Sequence, residues 1–222
     1  MNDPEIRALL YPLLQGGVYV DELPTGSTRA DVVHITPEFM HGYEVKGDGD
    51  TLQRVTNQLL CYGQTYDFVT FVVTAKHLDK LLPLLPEWVG ILIVTAQGDL
   101  QAHRPAQYNS TVERSCVASL LRLEEIKQFL LASGLSGVSQ LRRGEVLGLL
   151  RTTHLVPLSR LAQYVRDRLI LRLPQRLLDR AERKAERQRF SALFQKRKRK
   201  PPRRKQKKAA AKKGKKAAVR QK

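Results

Sequence analysis

Residues 29–35, RADVVHI, and residues 42–46, GYEVK, decide the fold expected for this chain. Both are short apolar stretches bounded by proline and glycine, so each predicts a β-strand. Because side chains alternate along a strand, Glu44 and Lys46 project to one face, and a hairpin of the two strands brings Asp31 to that face as well. Two carboxylates and an ammonium would then line one volume, which suits a hard divalent cation and chemistry on phosphate.

The hydrophobic pattern around these strands predicts an α/β core with the element order α-β-β-β-α-β-α-β. In that core Asp50 is expected to cap the second helix, with Gln53 completing a capping box. From residue 112 the pattern changes to helices. The predicted helices are 4–15, 51–65, 77–85, 112–132, 139–152, 158–172 and 175–195, and the predicted strands are 17–23, 29–35, 40–46, 67–74 and 89–94.

The excess positive charge is concentrated at one end of the chain. The net charge is +18, and 16 of the 39 basic residues lie in residues 196–222, which leaves 23 basic against 21 acidic residues in the remainder. A segment this basic, without aromatic residues, cannot bury enough apolar surface to offset the entropy of ordering, so it is expected to be disordered. The domain organisation predicted is an α/β core at 1–110, packed helices at 111–175, a basic helix at 176–195 and a disordered tail at 196–222.

Several classes of protein are disfavoured by the composition. No apolar stretch approaches the ~18 residues of a membrane span, and residues 1–5 lack the layout of a secretory signal. Cys61 and Cys116 are isolated, which fits reduced thiols better than a disulfide or a zinc site. We therefore expect a cytoplasmic protein, with association to the nucleoid as a further option.

The ordered pattern of these residues resembles the PD-(D/E)xK nuclease superfamily. Downstream of Lys46, residues Arg54, Gln58 and Tyr62 follow at helical spacing. The whole pattern RAD…YEVKxDxDTLxRxxxQxxxY resembles one functionally uncharacterised bacterial family of this superfamily, over residues 15–100 approximately. The resemblance implies a restriction-endonuclease-like core with a mixed sheet.

The resemblance also implies a metal-dependent nuclease that hydrolyses phosphodiester bonds in DNA. In that mechanism Asp31, Glu44 and the backbone carbonyl of Val45 bind Mg²⁺ or Mn²⁺. Lys46 orients or activates the attacking water and offsets charge on the phosphate. Gln58 lies near the active centre and positions water or substrate, with Arg54 and Tyr62 as further candidates beside it.

Plainer interpretations exist for each of these residues. Glu44 and Lys46 could form an exposed cross-strand ion pair, and Gln58 could lie on a solvated helix face with Tyr62 in the core. The superfamily's upstream acid could be Glu22, for which the competing interpretations are a surface acid or replacement by Glu5. Arg29 is expected either to contact phosphate or to pair with a carboxylate.

DNA is the partner that the charge favours, with RNA as an alternative polyanion and with the oligomeric state open. Two other functions remain: a non-catalytic nucleic-acid-binding protein on a nuclease-like scaffold, and an RNA-associated factor. Residues 122–150 could also form a helix-turn-helix module, although packing of these helices on the sheet is favoured. The residues expected to bind nucleic acid are Arg29, Lys196, Arg197, Lys198, Arg199, Lys200, Arg203, Arg204 and Lys205.

Overall fold

The structure, a computed structural model, describes the backbone of residues 1–198 and the side chains of residues 1–192. Contacts group Met1–Pro174 into one compact unit, and a second unit begins at Gln175. The first unit contains a mixed α/β fold, as predicted. Disorder was predicted for residues 196–222. Residues 196–198 form the end of the last helix, and residues 199–222 lie outside the described residues.

The described residues form seven α-helices and six strands. The helices are α1 (Asp3–Leu10), α2 (Val55–Gly63), α3 (Ala75–Leu81), α4 (Arg114–Ala118), α5 (Leu123–Ala132), α6 (Arg143–Thr152) and α7 (Leu158–Lys198). The strands are β1 (Val18–Thr25), β2 (Thr28–Ile35), β3 (Met40–Lys46), β4 (Phe68–Thr74), β5 (Gly90–Val94) and β6 (Leu100–Arg104). Short 3-10 turns lie at Tyr11–Leu13, Leu82–Leu84 and Val138–Gln140.

The six strands form a single mixed sheet in the order β1-β2-β3-β4-β5-β6. The pairs β3–β4 and β4–β5 are parallel, and the outer pairs are antiparallel. The apolar run of β4 therefore lies at the centre, as its composition predicts. In β2 and β3, Val32 pairs with Tyr43 and Val33 with Gly42, so the same register brings Asp31 opposite Glu44.

The sheet has a hydrophobic core on each face. On one face Ile6 and Leu10 of α1 pack with Tyr43 and Val45 of the sheet. On the other face the sheet packs with α2 and α3 and with the helices after residue 112. That larger core includes Val33, Phe71, Tyr62, Leu81, Ile126, Leu130, Val146 and Leu150. The burial of α5 and α6 in this core agrees with the packing interpretation of residues 122–150.

The predicted start of α2 and the predicted cap at Asp50 are wrong. Asp50 instead closes the turn after β3, because its carboxylate accepts from the Gly47 N–H at 2.8 Å and its own N–H donates to the Gly47 carbonyl at 3.1 Å. The helix begins at Val55, and Arg54 holds the N-cap position without a side-chain cap. Asp50 therefore stabilises the turn that precedes it and does not cap the helix that follows it.

The single helix predicted at 112–132 is two helices, α4 and α5. The Ser119 N–H closes the end of α4 on the carbonyls of Ser115 and Cys116. The Glu125 carboxylate then accepts from the Arg122 N–H at 2.7 Å and starts α5 as a capping box. A local cap therefore interrupts a hydrophobic pattern that is continuous in sequence.

At the end of the described chain the structure has one helix where two were predicted. The expected break between 172 and 175 is wrong, because α7 continues through these positions with Pro174 in its interior. Proline costs about 3 kcal/mol in a helix interior, but the flanking Leu, Arg, Gln and Glu residues are strong helix formers.

Two further findings concern the described residues as a whole. The thiols of Cys61 and Cys116 are free. Within residues 1–198, no helix is both long enough and apolar enough to cross a membrane.

Candidate active site

The carboxylate of Glu44 is enclosed by three donors from β3 and α2. Its Oε1 atom accepts from Lys46 Nζ at 2.6 Å and from Gln58 Nε2 at 2.5 Å, and its Oε2 atom accepts from the Tyr62 hydroxyl at 2.6 Å. Lys46 also donates to Gln58 Oε1 at 3.1 Å. Glu44, Lys46 and Gln58 are each 2 % exposed, so the exposed ion pair considered from the sequence does not form.

Tyr62 combines a core position with a contact to this network. Its ring is fully buried, and its hydroxyl lies 2.8 Å from the Arg29 carbonyl oxygen as well as 2.6 Å from Glu44. Burial and the charge of Glu44 raise the pKa of Tyr62, so the phenol stays protonated and donates to the carboxylate. Tyr62 therefore packs in the core and also donates a hydrogen bond to Glu44.

Asp31 reaches the same region from β2. Its Oδ2 atom accepts from the Val45 N–H at 2.8 Å, and its Oδ1 atom lies 3.0 Å from Arg7 Nη2. Burial and the charge of Glu44 raise the pKa of Asp31 to about 7, although the Val45 N–H and the Arg7 charge act against this rise. Asp31 is thus a carboxyl group whose ionisation is opposed by its surroundings.

These side chains open onto one polar pocket of about 330 Å³. The pocket brings together the predicted catalytic residues Asp31, Glu44, Lys46 and Gln58, with Val45 between them. The full lining is Asp3, Ser27, Thr28, Arg29, Asp31, Glu44, Val45, Lys46, Asp50, Arg54 and Gln58.

Arg7 is a residue of this region that the sequence analysis missed. It is 7 % exposed and contacts Asp3, Glu22 and Asp31, and its Nη1 atom also donates to the Asp31 carbonyl at 2.8 Å. Burial acts to lower the pKa of Arg7, but the hydrogen bond with Asp3 and the charge of Asp31 outweigh it and raise the pKa. The Asp3–Arg7 spacing of an i,i+4 helix pair was a visible signal, but it does not reveal the contact with Asp31.

Glu22 and Glu5, the two candidates for an upstream acid, differ in position. Glu22 lies in β1 with a left-handed backbone (φ 56°), and its carboxylate pairs with Arg7 at 2.6 Å and with Arg29 at 2.5 Å. Glu5 instead caps α1 by accepting from the Asn2 N–H at 2.8 Å. Glu22 is therefore the acid near Asp31, although it does not line the pocket itself.

The two arginines at the pocket rim differ in their contacts. Arg29 pairs with a carboxylate, as one of its two predicted roles requires, yet its side chain is 64 % exposed. Arg54 is exposed at the start of α2 and also lines the pocket. Both residues line the pocket.

The basic segment predicted to bind nucleic acid cannot be placed beside this pocket. Lys196, Arg197 and Lys198 belong to the last turns of α7, where the backbone alone is described. The remaining residues, Arg199, Lys200, Arg203, Arg204 and Lys205, lie outside the described residues.

The donors of the pocket fit a hard divalent cation. Asp31 and Glu44 offer oxygen atoms, and the Asp31 carboxylate uses two of its roughly four acceptor positions on protein donors, whereas Glu44 uses three. Asp31 can thus accept about two more bonds, and Glu44 about one more. Among the described side chains no three His, Cys, Asp or Glu residues form a metal-binding group, so an ion here would have two carboxylate ligands and would need the Val45 carbonyl and water.

A sequence model of the family described as bacteriophage P4 protein cII matches residues 13–213. The chain belongs to this family. No curated protein matches the chain.

Two solved structures show weak likeness. A protein of unknown function from Silicibacter pomeroyi has 18% identity and a TM-score of 0.40, over 62% of this chain and 93% of that chain. SfsA of Pyrococcus furiosus, solved in complex with Ca²⁺, has 15% identity and a TM-score of 0.27, over 46% of this chain and 59% of that chain.

Proposed function

We propose that this protein is a metal-dependent nuclease that hydrolyses phosphodiester bonds in DNA. The observation that supports it best is the convergence of Asp31, Glu44, Lys46 and Gln58, from two strands and a helix, on one polar pocket. A buried lysine beside two carboxylates is costly to fold, since each charge must be removed from water. Such an arrangement is typical of a site that must handle charge during a reaction.

In this proposal Asp31, Glu44 and the Val45 carbonyl hold Mg²⁺ or Mn²⁺. When bound, the ion supplies Lewis acidity at the phosphate and lowers the pKa of a coordinated water. The Lys46 ammonium, fixed by Glu44 and Gln58, offsets negative charge on the phosphate and orients the attacking water.

The surrounding residues keep this arrangement rigid. Gln58 contacts both Glu44 and Lys46, so it fixes the distance between the carboxylate and the ammonium. Tyr62 holds the other oxygen of Glu44. Arg29 and Arg54 at the rim can contact the phosphates on either side of the scissile bond, because guanidinium groups match phosphate geometry.

The net charge of +18 supports a polyanionic substrate. Each phosphate that the basic residues neutralise releases counterions. The slope of log K for DNA binding against the logarithm of the salt concentration therefore becomes more negative by ~0.9 for each phosphate contact. Binding of this kind is insensitive to sequence, which leaves selection of the cleavage position to the pocket.

The test is cleavage of supercoiled plasmid, linear duplex and single-stranded DNA by the full chain in Mg²⁺, Mn²⁺ and EDTA. We expect cleavage in a divalent metal and none in EDTA, and we expect Glu44→Gln to reduce the rate by at least about a thousandfold because it removes a charged ligand. Glu5→Gln is the matched control, because Glu5 is exposed and lies outside the pocket, and it should cleave like wild type.

A second function is favoured by one observation. Both oxygens of Glu44 already accept hydrogen bonds, from Lys46, Gln58 and Tyr62, so this carboxylate is held by protein donors without an ion. A non-catalytic nucleic-acid-binding protein would show this property. If the protein retards DNA or RNA in a gel and cuts neither in any metal tested, this second function would replace the nuclease. Cleavage that persists in EDTA would also contradict our proposal.

A further inference from the structure

The guanidinium of Arg7 lies where three carboxylates meet beside the pocket. We propose that Arg7 is a positioning residue that takes the place of a second cation there, so that the pocket binds one divalent ion and not two. This inference rests on the proposed function, because it concerns the ion that the nuclease would use.

The contacts of Arg7 are those of a bound cation. Its Nη2 atom lies 2.8 Å from Asp3 Oδ2, 2.6 Å from Glu22 Oε1 and 3.0 Å from Asp31 Oδ1. A second contact with Asp3, from the Nε atom, completes a forked pair. Since the side chain is 7 % exposed, water cannot easily replace it.

Arg7 also fixes the orientation of Asp31. It donates to both the side chain and the backbone carbonyl of Asp31, at 3.0 Å and 2.8 Å. The Val45 N–H holds the other carboxylate oxygen. Asp31 is therefore anchored at three points, and the acceptor positions that remain on its carboxylate face a fixed direction.

The balance of charge favours a single ion. The ion pairs of this region contain four carboxylates and three cations, so the region carries a net charge of −1 when every group is ionised. Asp50 and Arg54, which also line the pocket, cancel each other. One divalent ion changes the net charge to +1, whereas a second would change it to +3, which repulsion between like charges disfavours. The carboxylates are Asp3, Glu22, Asp31 and Glu44, and the cations are Arg7, Arg29 and Lys46.

Hydrolysis of phosphodiesters with two ions requires carboxylates that bridge metals about 3.5–4 Å apart. The Arg7 contact at 3.0 Å occupies the side of Asp31 that faces Asp3 and Glu22. An arginine, which is always charged and cannot leave the chain, makes this occupancy permanent. In our proposal the single ion lies in the pocket that Asp31 and Glu44 both line.

The test counts Mn²⁺ bound to the full chain, from the electron paramagnetic resonance signal of free Mn²⁺. We expect wild type to bind one ion. Arg7→Gln removes the cation that Asp3, Glu22 and Asp31 share and should bind two ions, the first at least about tenfold more tightly because a neighbouring positive charge is gone. Arg29→Gln is the matched control, since Arg29 also pairs with Glu22 but does not contact Asp31, and it should bind one ion.

The outcomes separate this inference from the proposed function. Two ions on wild type, or one ion on Arg7→Gln with unchanged affinity, would overturn the role of Arg7 and leave the nuclease intact. No ion on wild type would overturn the proposed function itself.

A second variant, which keeps Arg7, tests the inference if Arg7→Gln does not fold. Asp3 is half-exposed and serves Arg7 in our proposal, so Asp3→Asn should still bind one Mn²⁺ with an affinity within about tenfold of wild type. Loss of the ion in Asp3→Asn would show that Asp3 is a metal ligand, which contradicts the inference.

Discussion

Glu44 and Glu125 are both buried glutamates that hold cations, but their surroundings differ. Glu125 accepts from Arg122 N–H, from Arg168 Nε at 3.3 Å and from Arg172 Nη1 at 3.0 Å, and it starts helix α5. Its single charge faces two guanidinium groups. Glu44 faces one ammonium, lies opposite a second carboxylate, Asp31, and opens onto a pocket.

The difference shows what separates a structural charge cluster from a candidate site. Burial and ion pairing are common to both glutamates. Glu125 has two guanidinium partners for its one negative charge, so no negative charge is left over, and the carboxylate also starts helix α5. Glu44 and Asp31 each pair with one cation, but their ion pairs extend to Asp3 and Glu22, so that four carboxylates face three cations beside an accessible space. An excess of carboxylates beside a pocket favours binding of a cation.

The largest expected effect is the loss of cleavage in Lys46→Met. The substitution removes the ammonium that lies 2.6 Å from Glu44, so charge on the phosphate is no longer offset. We expect the cleavage rate to fall by at least about a thousandfold while affinity for DNA is unchanged. Arg168→Met, which removes a cation from the Glu125 cluster, should cleave like wild type; a similar loss in both variants would mean that the two clusters do not differ in function.

The next effect is on stability, in Glu125→Gln. Removing this charge leaves Arg168 and Arg172 without their buried partner, and we expect the free energy of unfolding to fall by about 3 kcal/mol. Unfolding in urea measures the change. Cleavage per folded molecule should be retained, and a stability equal to wild type would show that this cluster is not structural.

A third prediction concerns pH in the absence of metal. Burial and Glu44 raise the pKa of Asp31 to about 7, above the value of about 3.9 for an unfolded chain. The stability contributed by its protonated form is complete below the unfolded pKa and is lost as the pH rises through about 7. In EDTA, Asp31→Asn should therefore gain several °C in melting temperature relative to wild type between pH 5 and pH 8. A difference that is independent of pH would contradict the raised pKa.

The smallest effect is expected for Tyr62→Phe. The hydroxyl is one of three donors to Glu44, and the ring keeps its place in the core without it. Loss of one hydrogen bond to a charged group costs about 2 kcal/mol, so we expect cleavage to slow by about tenfold to thirtyfold. Tyr66→Phe, also a buried tyrosine of the same core, is the control and should not slow cleavage.

Much of the site could be predicted because it depends on local periodicity. Alternation along β3 places Glu44 and Lys46 on one face, and helical spacing along α2 brings Gln58 and Tyr62 together. The antiparallel pairing with β2, which adds Asp31, follows from the same pattern.

Other parts depend on tertiary packing and could not be predicted. Arg7 reaches Asp31 because Ile6 and Leu10 dock α1 on the sheet, and no local signal fixes that docking. The sequence places Asp50 next to both the turn at Gly47 and the predicted start of α2, and its carboxylate binds the Gly47 N–H of the turn. Strand β6 was missed because its sequence, LQAHR, contains no β-branched or aromatic residue, although the turn at 97–99 before it is a hairpin signal.

The backbone of Glu22 carries a consequence for engineering this protein. A left-handed φ of 56° costs a residue other than glycine roughly 1–2 kcal/mol, so Glu22→Gly would relax the chain at this position. The same change would take a carboxylate away from Arg7 and Arg29. Relief of backbone strain and loss of the two ion pairs would then act in opposite directions on stability at one position, so heat resistance alone would not measure how much Glu22 contributes to holding Arg7.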